Sequence, residues 1–239
     1  MNILAETLAR GADELGIKLT QDQLDKFKTY YQLLVEANKI VNLTSIVEEQ
    51  EVAVKHFIDS LTCLKAIPLE TSINLVDIGA GAGFPGIPLK ICLPEFSVIL
   101  VESQEKKVNF MRKVISELGL KNIHAVHARA EDIGRNMEYR ETKDLVVARA
   151  VASVGVLAEY CLPIVRVGGV FLAMKGPGAG EEVDRAKRAI GLLGGEVAKT
   201  ISLSLPVTGD ERSLVLVKKV RKTPEKYPRR PGIPQKRPL

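Results

Sequence analysis

Tryptophan is absent from this 239-residue chain, aromatics make up 5% of it, and it holds only three histidines and three cysteines. Cys63, Cys92 and Cys161 stand far apart and form no ligand-spaced pair. That excludes a disulfide framework and a zinc ribbon, and the expected state is buried thiols in a reducing compartment. No second His or Cys stands at metal spacing from His56, so no metal site is expected and His56 reads as a structural histidine. No apolar run is long enough to span a bilayer. Glu6, Asp13 and Glu14 occupy a start where a secretory signal would be basic and then apolar, so a cytoplasmic protein is expected. Internal repeats are lacking as well. Acids nearly vanish at the C-terminus: from Lys218 to Leu239 nine basic residues face one acid, Glu225, a net +8 in a chain totalling +5, which leaves −3 for the remainder. A mildly acidic body with a strongly basic tail points to a polyanionic partner, nucleic acid first.

The chain is 46% hydrophobic, enough for a packed core. Up to about residue 66 the pattern is helical. Ile3, Leu4, Thr7, Leu8 and Leu15 share a face of a first helix that Gly16 ends. Thr20 to Gln23 reads as a capping box opening a second, with Leu24, Phe27, Tyr31 and Leu34 as its core positions. Ser45 and Glu48 predict another capping box and a third helix, with Val52, His56, Phe57 and Leu64 on its apolar side and Pro68 just beyond.

From Ser72 strands and helices alternate. Strands are expected over 73–78, 97–101, 123–127, 144–148 and 170–174. Helices are expected over 85–92, 104–118, 152–160 and 180–193. Two final runs, 196–203 and 213–220, have no helix between them and should pair antiparallel at a sheet edge. This is a doubly wound α/β sheet with a reversed final strand. Three regions follow: helical over 1–70, a ligand-binding sheet over 71–220, and a tail over 221–239. Five prolines in the tail predict an extended, stiff segment without helix.

The most informative stretch is Ile73 to Gly86, INLVDIGAGAGFPG. A buried strand runs into Gly79, Gly81 and Gly83, and Pro85 suits the first turn of a helix. The dinucleotide fingerprint fits only in a shifted frame, at Gly81, Gly83 and Gly86. The better match is D-x-G-x-G-x-G from Asp77, the pattern of S-adenosylmethionine-dependent methyltransferases. Charge separates the two readings. A dinucleotide brings an anionic pyrophosphate, whereas S-adenosylmethionine brings a sulfonium and an ammonium, which Asp77 suits. Glu102 ends the next strand, 25 positions after Asp77, where an acid can accept from ribose hydroxyls of either ligand. Ala130 and Glu131 follow the third strand, at the place for adenine.

The methyl acceptor is narrowed by what the strand ends carry. Ala148-Arg149-Ala150-Val151 after the fourth strand lacks the acid- or Asn-Pro-Pro-aromatic pattern of base-amine methylation. No cysteine lies at a strand-end loop to attack a pyrimidine carbon. An acceptor with a free lone pair, such as guanine N7, needs no base and mainly alignment. Arg149 could hold the methionine carboxylate, meet guanine's O6 and N7 edge, or serve a structural ion pair. Lys175, which opens Lys175-Gly176-Pro177-Gly178, could meet substrate phosphates or simply face solvent. A small-molecule methyltransferase and a non-catalytic RNA-binding assembly factor with a retained pocket stay open as alternatives.

The loop VDIGAGAGFPG, Arg129-Ala130-Glu131 and Ala148-Arg149-Ala150 resemble the bacterial small-subunit ribosomal RNA guanine-N7 methyltransferase G family, also called glucose-inhibited division protein B. NKIVNLT from Asn38, KHFIDS from Lys55 and TPEKYPRRPG from Thr223 extend the resemblance over nearly the whole chain. It implies a Rossmann-like fold and transfer of methyl from S-adenosylmethionine to N7 of a guanine in 16S ribosomal RNA. It also implies a cofactor site of Gly79, Phe84, Ala130, Glu131 and Arg149, with Glu102, Ser103 and Gln104 near the ribose. Asp77, Gly81 and Gly83 join that set from the loop itself. Arg149 and Lys175 are the candidates for a catalytic part. The expected partner is 16S ribosomal RNA or the small subunit, and the expected state is a monomer.

Overall fold

The computed structural model describes residues 3–67 and 72–239; Pro68 and the expected boundary at residues 70 and 71 lie outside them. Helices α1 (Ile3–Glu14) and α2 (Gln21–Val41) come first. The Thr20 capping box is present: Gln23 N donates to Thr20 Oγ1, and Thr20 N to Gln23 Oε1. Tyr30, rather than Tyr31, joins Phe27 as a fully buried aromatic of α2; Tyr31 lies at the edge with its hydroxyl on Val47 O. The expected capping box at Ser45 does not form. Asn38 Oδ1 accepts from Leu43 N and Thr44 N and holds that stretch in a loop, so α3 (Glu49–Val52) starts later, with Glu48 as an N-cap that makes no side-chain cap bond. α3 continues through a π-helical stretch, Ala53–Ile58, then α4 (Asp59–Leu61) and a 3₁₀ turn, Thr62–Lys65.

Then follow β1 (Asn74–Ile78), α5 (Gly86–Cys92), β2 (Ser97–Glu102), α6 (Glu105–Glu117), β3 (Ile123–His127), α7 (Ala130–Arg135), β4 (Lys143–Arg149), α8 (Val154–Cys161), β5 (Val165–Lys175), α9 (Ala179–Leu192), β6 (Gly195–Ser204), β7 (Glu211–Lys219) and α10 (Ile233–Lys236). The sheet order is β3-β2-β1-β4-β5-β7-β6. The pairs among β1 to β5 are parallel, and β7 lies antiparallel between β5 and β6. The expected hairpin is therefore present, with β6 as the outer strand. β5 starts earlier than the pattern suggests: Val165 and Arg166 already belong to the strand, and Gly168, with φ +87, and Gly169 lie in an irregular stretch across which the pairing with β4 moves from Val165 to Val170. Helix α7 was not expected from the sequence; it is six residues long and contains Gly134.

Side chains alternate across the sheet. Leu75, Leu145, Val147, Leu172 and Leu214 pack under Leu4, Leu8, Phe27, Tyr30 and Phe57 of the N-terminal helices, together with α5 and α6. Val76, Ile78, Val146, Ala148, Phe171 and Val215 pack against α8 and α9. Helices thus cover both faces, and the N-terminal region supplies much of one layer. No helix among the described residues is long and apolar enough to cross a membrane.

The tail corrects an expectation. It is folded back rather than extended, and it contains α10 with Pro234 in its first turn, a position that needs no N–H. Tyr227 is buried in the α8–α9 core. Arg140 donates to Tyr227 O at 2.8 Å and to Thr223 O at 3.0 Å, and Arg229 pairs with Glu159, which is 1% exposed.

Candidate functional site

Where β1 and β4 lie side by side, the chain leaves for opposite edges of the sheet. The strand ends there leave a crevice, the usual ligand position in this architecture. The glycine loop fills one wall. Gly79 has φ +70, and a Cβ on it would sit 2.6 Å from Val151 Cγ2. Gly83 has φ +100, with the Tyr30 hydroxyl 2.7 Å from where a Cβ would be; that hydroxyl donates to Ala82 O. Glycine is the residue that adopts such angles and leaves such room. The loop is thus clamped from α2 and kept open toward the ligand side.

The cleft is about 150 Å³, and Gly79, Ser103, Ala130, Glu131, Val151 and Tyr160 are among its lining residues. Gly232 and Gln235 of the tail line it too, at positions that no local sequence pattern points to. Burial, followed by Glu131, pushes the Tyr160 hydroxyl up to about 12, so it remains a neutral donor.

Other residues expected at the cofactor stand behind this lining. Glu102 is 7% exposed. Its Oε2 accepts from Gly81 N at 3.0 Å and its Oε1 from Gln104 N at 2.9 Å and Ser103 Oγ at 3.2 Å. It therefore fastens the glycine loop to the start of α6. Phe84 stacks between Tyr30 and His56. Asp77 is fully buried and does not open onto the cleft; its Oδ2 accepts from Gly86 N at 2.8 Å, while its Oδ1 has no hydrogen-bond partner among the described residues. Burial raises the Asp77 carboxyl to about 7, partly offset by the Gly86 N–H and Arg149.

A buried carboxyl with one oxygen left without a donor, under a loop that faces the cleft, fits a cationic ligand better than a pyrophosphate. Because its folded-state value lies above the unfolded one, Asp77 favours the apoprotein at low pH, and that contribution disappears as pH rises through about 7. A cation in the cleft favours the ionised form. Affinity for S-adenosylmethionine is therefore expected to rise about threefold from pH 6 to pH 8, with roughly tenfold as the ceiling for a one-unit shift. Calorimetric titration over that range checks it, and Asp77→Asn should flatten the profile.

Arg149 sits on the other side. Alternation along β4 puts it on the face of Leu145 and Val147, so it meets the N-terminal helices. Arg149 Nη1 lies 2.8 Å from Asp59 Oδ2 and 3.2 Å from Lys55 O, and its guanidinium carbon is 5.1 Å from the Phe84 ring centre. Asp59 is 6% exposed and also accepts from Arg212 Nε at 2.9 Å. Lys55, Asp59, Arg149 and Arg212 line a second cavity of about 350 Å³ together with His56, Ala150, Met174 and Lys175. Lys175 is held by Glu182 at 2.8 Å and by Ala152 O. His56 has both ring nitrogens engaged, at Thr44 Oγ1 and Lys55 O, and burial, followed by Arg149, lowers it to about 4, so it is neutral near pH 7. The structural role expected for it fits this setting. No local sequence pattern links Asp59 to Arg212, 153 positions apart.

The two cavities share a wall. Ala150, with φ +54, faces the second cavity, and Val151, the next residue, lines the cleft. A left-handed alanine is held there by its surroundings, as backbone at functional sites often is.

Comparison with known proteins bears directly on this geometry. A family model described as rRNA small subunit methyltransferase G matches residues 23–215. The chain belongs to this family. Ribosomal RNA small subunit methyltransferase G of Pelotomaculum thermopropionicum is 61% identical over 239 residues, covering 100% of both chains. The protein of the same name from Desulforamulus reducens is 52% identical, again over 100% of both. Solved structures share the fold at low identity. TrmN from Thermus thermophilus matches with TM-score 0.54 and 15% identity over 68% of this chain and 48% of that one. TYW2 of M. jannaschii in complex with AdoMet matches with TM-score 0.51 and 15% identity over 68% and 77%. As a methyltransferase G family member, the chain is an S-adenosylmethionine-dependent methyltransferase with a Rossmann-like sheet.

Proposed function

We propose that this methyltransferase G family member transfers a methyl group to N7 of one guanine in 16S ribosomal RNA. The cleft behind Gly79 would hold the donor, and the second cavity would receive the acceptor. The observation that carries the reading is the shared wall at Ala150 and Val151, which sets a cation-lined cavity against the cofactor cleft. Lys55, Arg149, Lys175 and Arg212 line that cavity, against the single carboxylate Asp59. Such a lining suits a nucleotide with its phosphates.

S-adenosylmethionine, when bound, supplies an electrophilic methyl group on a sulfonium. Guanine N7 offers a lone pair with no proton to remove, so the chain's task is alignment and exclusion of water. Gly79, Ser103, Ala130 and Glu131 would bind the donor, with Asp77, Gly81, Gly83, Phe84, Glu102 and Gln104 fixing the loop around it. Arg149 and Arg212, braced on Asp59, each keep N–H donors beyond that bond for guanine O6 or a phosphate. Lys175 would meet a phosphate. A covalent route through cysteine lacks support: burial raises all three thiols, Cys92 to about 12.

Lys222, Lys226, Arg230, Lys236 and Arg237 are exposed on the docked tail and would contact phosphates. The protein would act as a monomer in the cytoplasm, where its free thiols persist. The test compares ribosomal RNA nucleosides from cells with and without the gene by mass spectrometry. One N7-methylguanosine should be lost, and purified protein should restore it in small-subunit RNA with activity falling steeply as salt rises. Turnover on a metabolite without RNA would reject the reading.

A further inference from the structure

We propose that the C-terminal tail is a wall of the cofactor site, so that donor binding and tail docking reinforce each other. The proposal rests on the cleft being the S-adenosylmethionine site. It concerns a segment beyond residue 215, where the family model's match ends, although the full-length relatives span it.

Gly232 and Gln235 line the cleft together with Gly79, Ser103 and Ala130, so a ligand filling it meets the tail as well as the strand ends. The tail is brought there by side chains of the helices that border the cleft. Glu131, 4% exposed and itself part of the lining, accepts from Gly232 N at 2.9 Å. Glu159 is the neighbour of the lining residue Tyr160. It accepts from Arg229 N at 2.8 Å, and its two oxygens receive the Arg229 guanidinium at 2.6 to 3.2 Å. Arg135 donates to Pro228 O at 2.8 Å, and Pro234 is buried.

Two nearly buried acids that face the tail are costly unless paired, so the docked position is specified rather than incidental. The amide of Gln235 makes no hydrogen bond among the described residues' interactions and is free to serve a ligand. The exposed cations Lys236 and Arg237 are carried by the same segment, which ties donor occupancy to the placement of charge toward a polyanion. Coupling of this kind is reciprocal.

The experiment is calorimetric titration of S-adenosylmethionine into the full chain, a chain ending at Arg230, and Gln235→Ala. The shortened chain keeps Tyr227 and Arg229 in place and loses Gly232 and Gln235. It should bind at least tenfold more weakly, and Gln235→Ala about threefold more weakly. A dissociation constant within twofold of the full chain in both variants overturns the proposal. Should the shortened chain fail to fold, hydrogen exchange on the full chain decides. The backbone N–H groups of Tyr227, Arg229, Arg230, Gly232, Ile233 and Gln235 should exchange at least fivefold more slowly with saturating donor, and unchanged exchange overturns the coupling. A full chain that ignores the donor would instead overturn the cofactor reading of the cleft.

Discussion

Replacing Arg149 with alanine should lower methyl transfer to small-subunit RNA by on the order of 100-fold, the scale of loss when a positioning group is removed. The argument runs through three contacts. The guanidinium is pinned to Asp59 at 2.8 Å, lies over the Phe84 ring at 5.1 Å, and reaches Lys55 O at 3.2 Å, so it joins the glycine loop to the N-terminal helices beside the wall between the cavities. Without it Asp59 keeps, among the described residues, the Arg212 guanidinium alone, and both the shape and the charge of the acceptor cavity change. Stability falls too, since Arg149 and Asp59 are mostly buried, with side chains 14% and 8% exposed. Breaking a buried pair outright costs about 3–5 kcal/mol. With Arg212 still in place the cost should be nearer ~2 kcal/mol, or roughly 4–8 °C in melting temperature for a chain of this size. Arg149→Lys restores a charge but not a planar fork, and should stay at least about tenfold below the natural protein. Single-turnover methylation of saturating RNA measures this, and transfer by Arg149→Ala within threefold of the natural protein would remove Arg149 from the acceptor site.

The strand ends could be read from the chain because the signals there are local. A buried run into Gly79-x-Gly81-x-Gly83, an acid at Glu102 and Arg149 closing Leu145–Ala148 each declare themselves within a few residues. The doubly wound sheet followed from the alternation of strands and helices for the same reason. What stayed hidden depends on pairs far apart in sequence. Alternation along β4 separates Arg149 from Ala148, but it does not say which face the N-terminal helices cover, so Asp59 as the partner was not legible. The tail was misread because proline density argues against long helices while saying nothing of docking. The acids that hold it, Glu131 and Glu159, lie 101 and 70 positions from their partners; in sequence Glu159 looks like an ordinary helix residue and Glu131 points to the adenine rather than to the tail. Asp77 was legible as important and not as buried, because strand position fixes the face of a side chain and not its distance from a ligand.

Gly79→Ala should weaken S-adenosylmethionine binding by about 100-fold, and the loss divides into two parts that can be measured separately. One part is backbone: Gly79 has φ +70, and placing an L-residue with a Cβ in the left-handed region costs roughly 1–2 kcal/mol, about 5- to 30-fold. The other is steric. The new Cβ would lie 2.6 Å from Val151 Cγ2, closer than such atoms approach, so either Val151 turns within the cleft it lines or the glycine loop retreats. Val151 has little freedom to yield, because a side chain branched at Cβ is stiff about χ1. Trimming the obstacle should recover only the steric part: Val151→Ala in the Gly79→Ala background should bring affinity back to within about 5- to 30-fold of the natural protein and no further, since the left-handed angle remains. Calorimetric titration of the four proteins in this cycle gives both terms. Full recovery in the double variant would mean the angle costs nothing here. No recovery would mean that Val151 is not the residue Gly79 must clear, and the proposed wall between donor and acceptor would have to lie elsewhere.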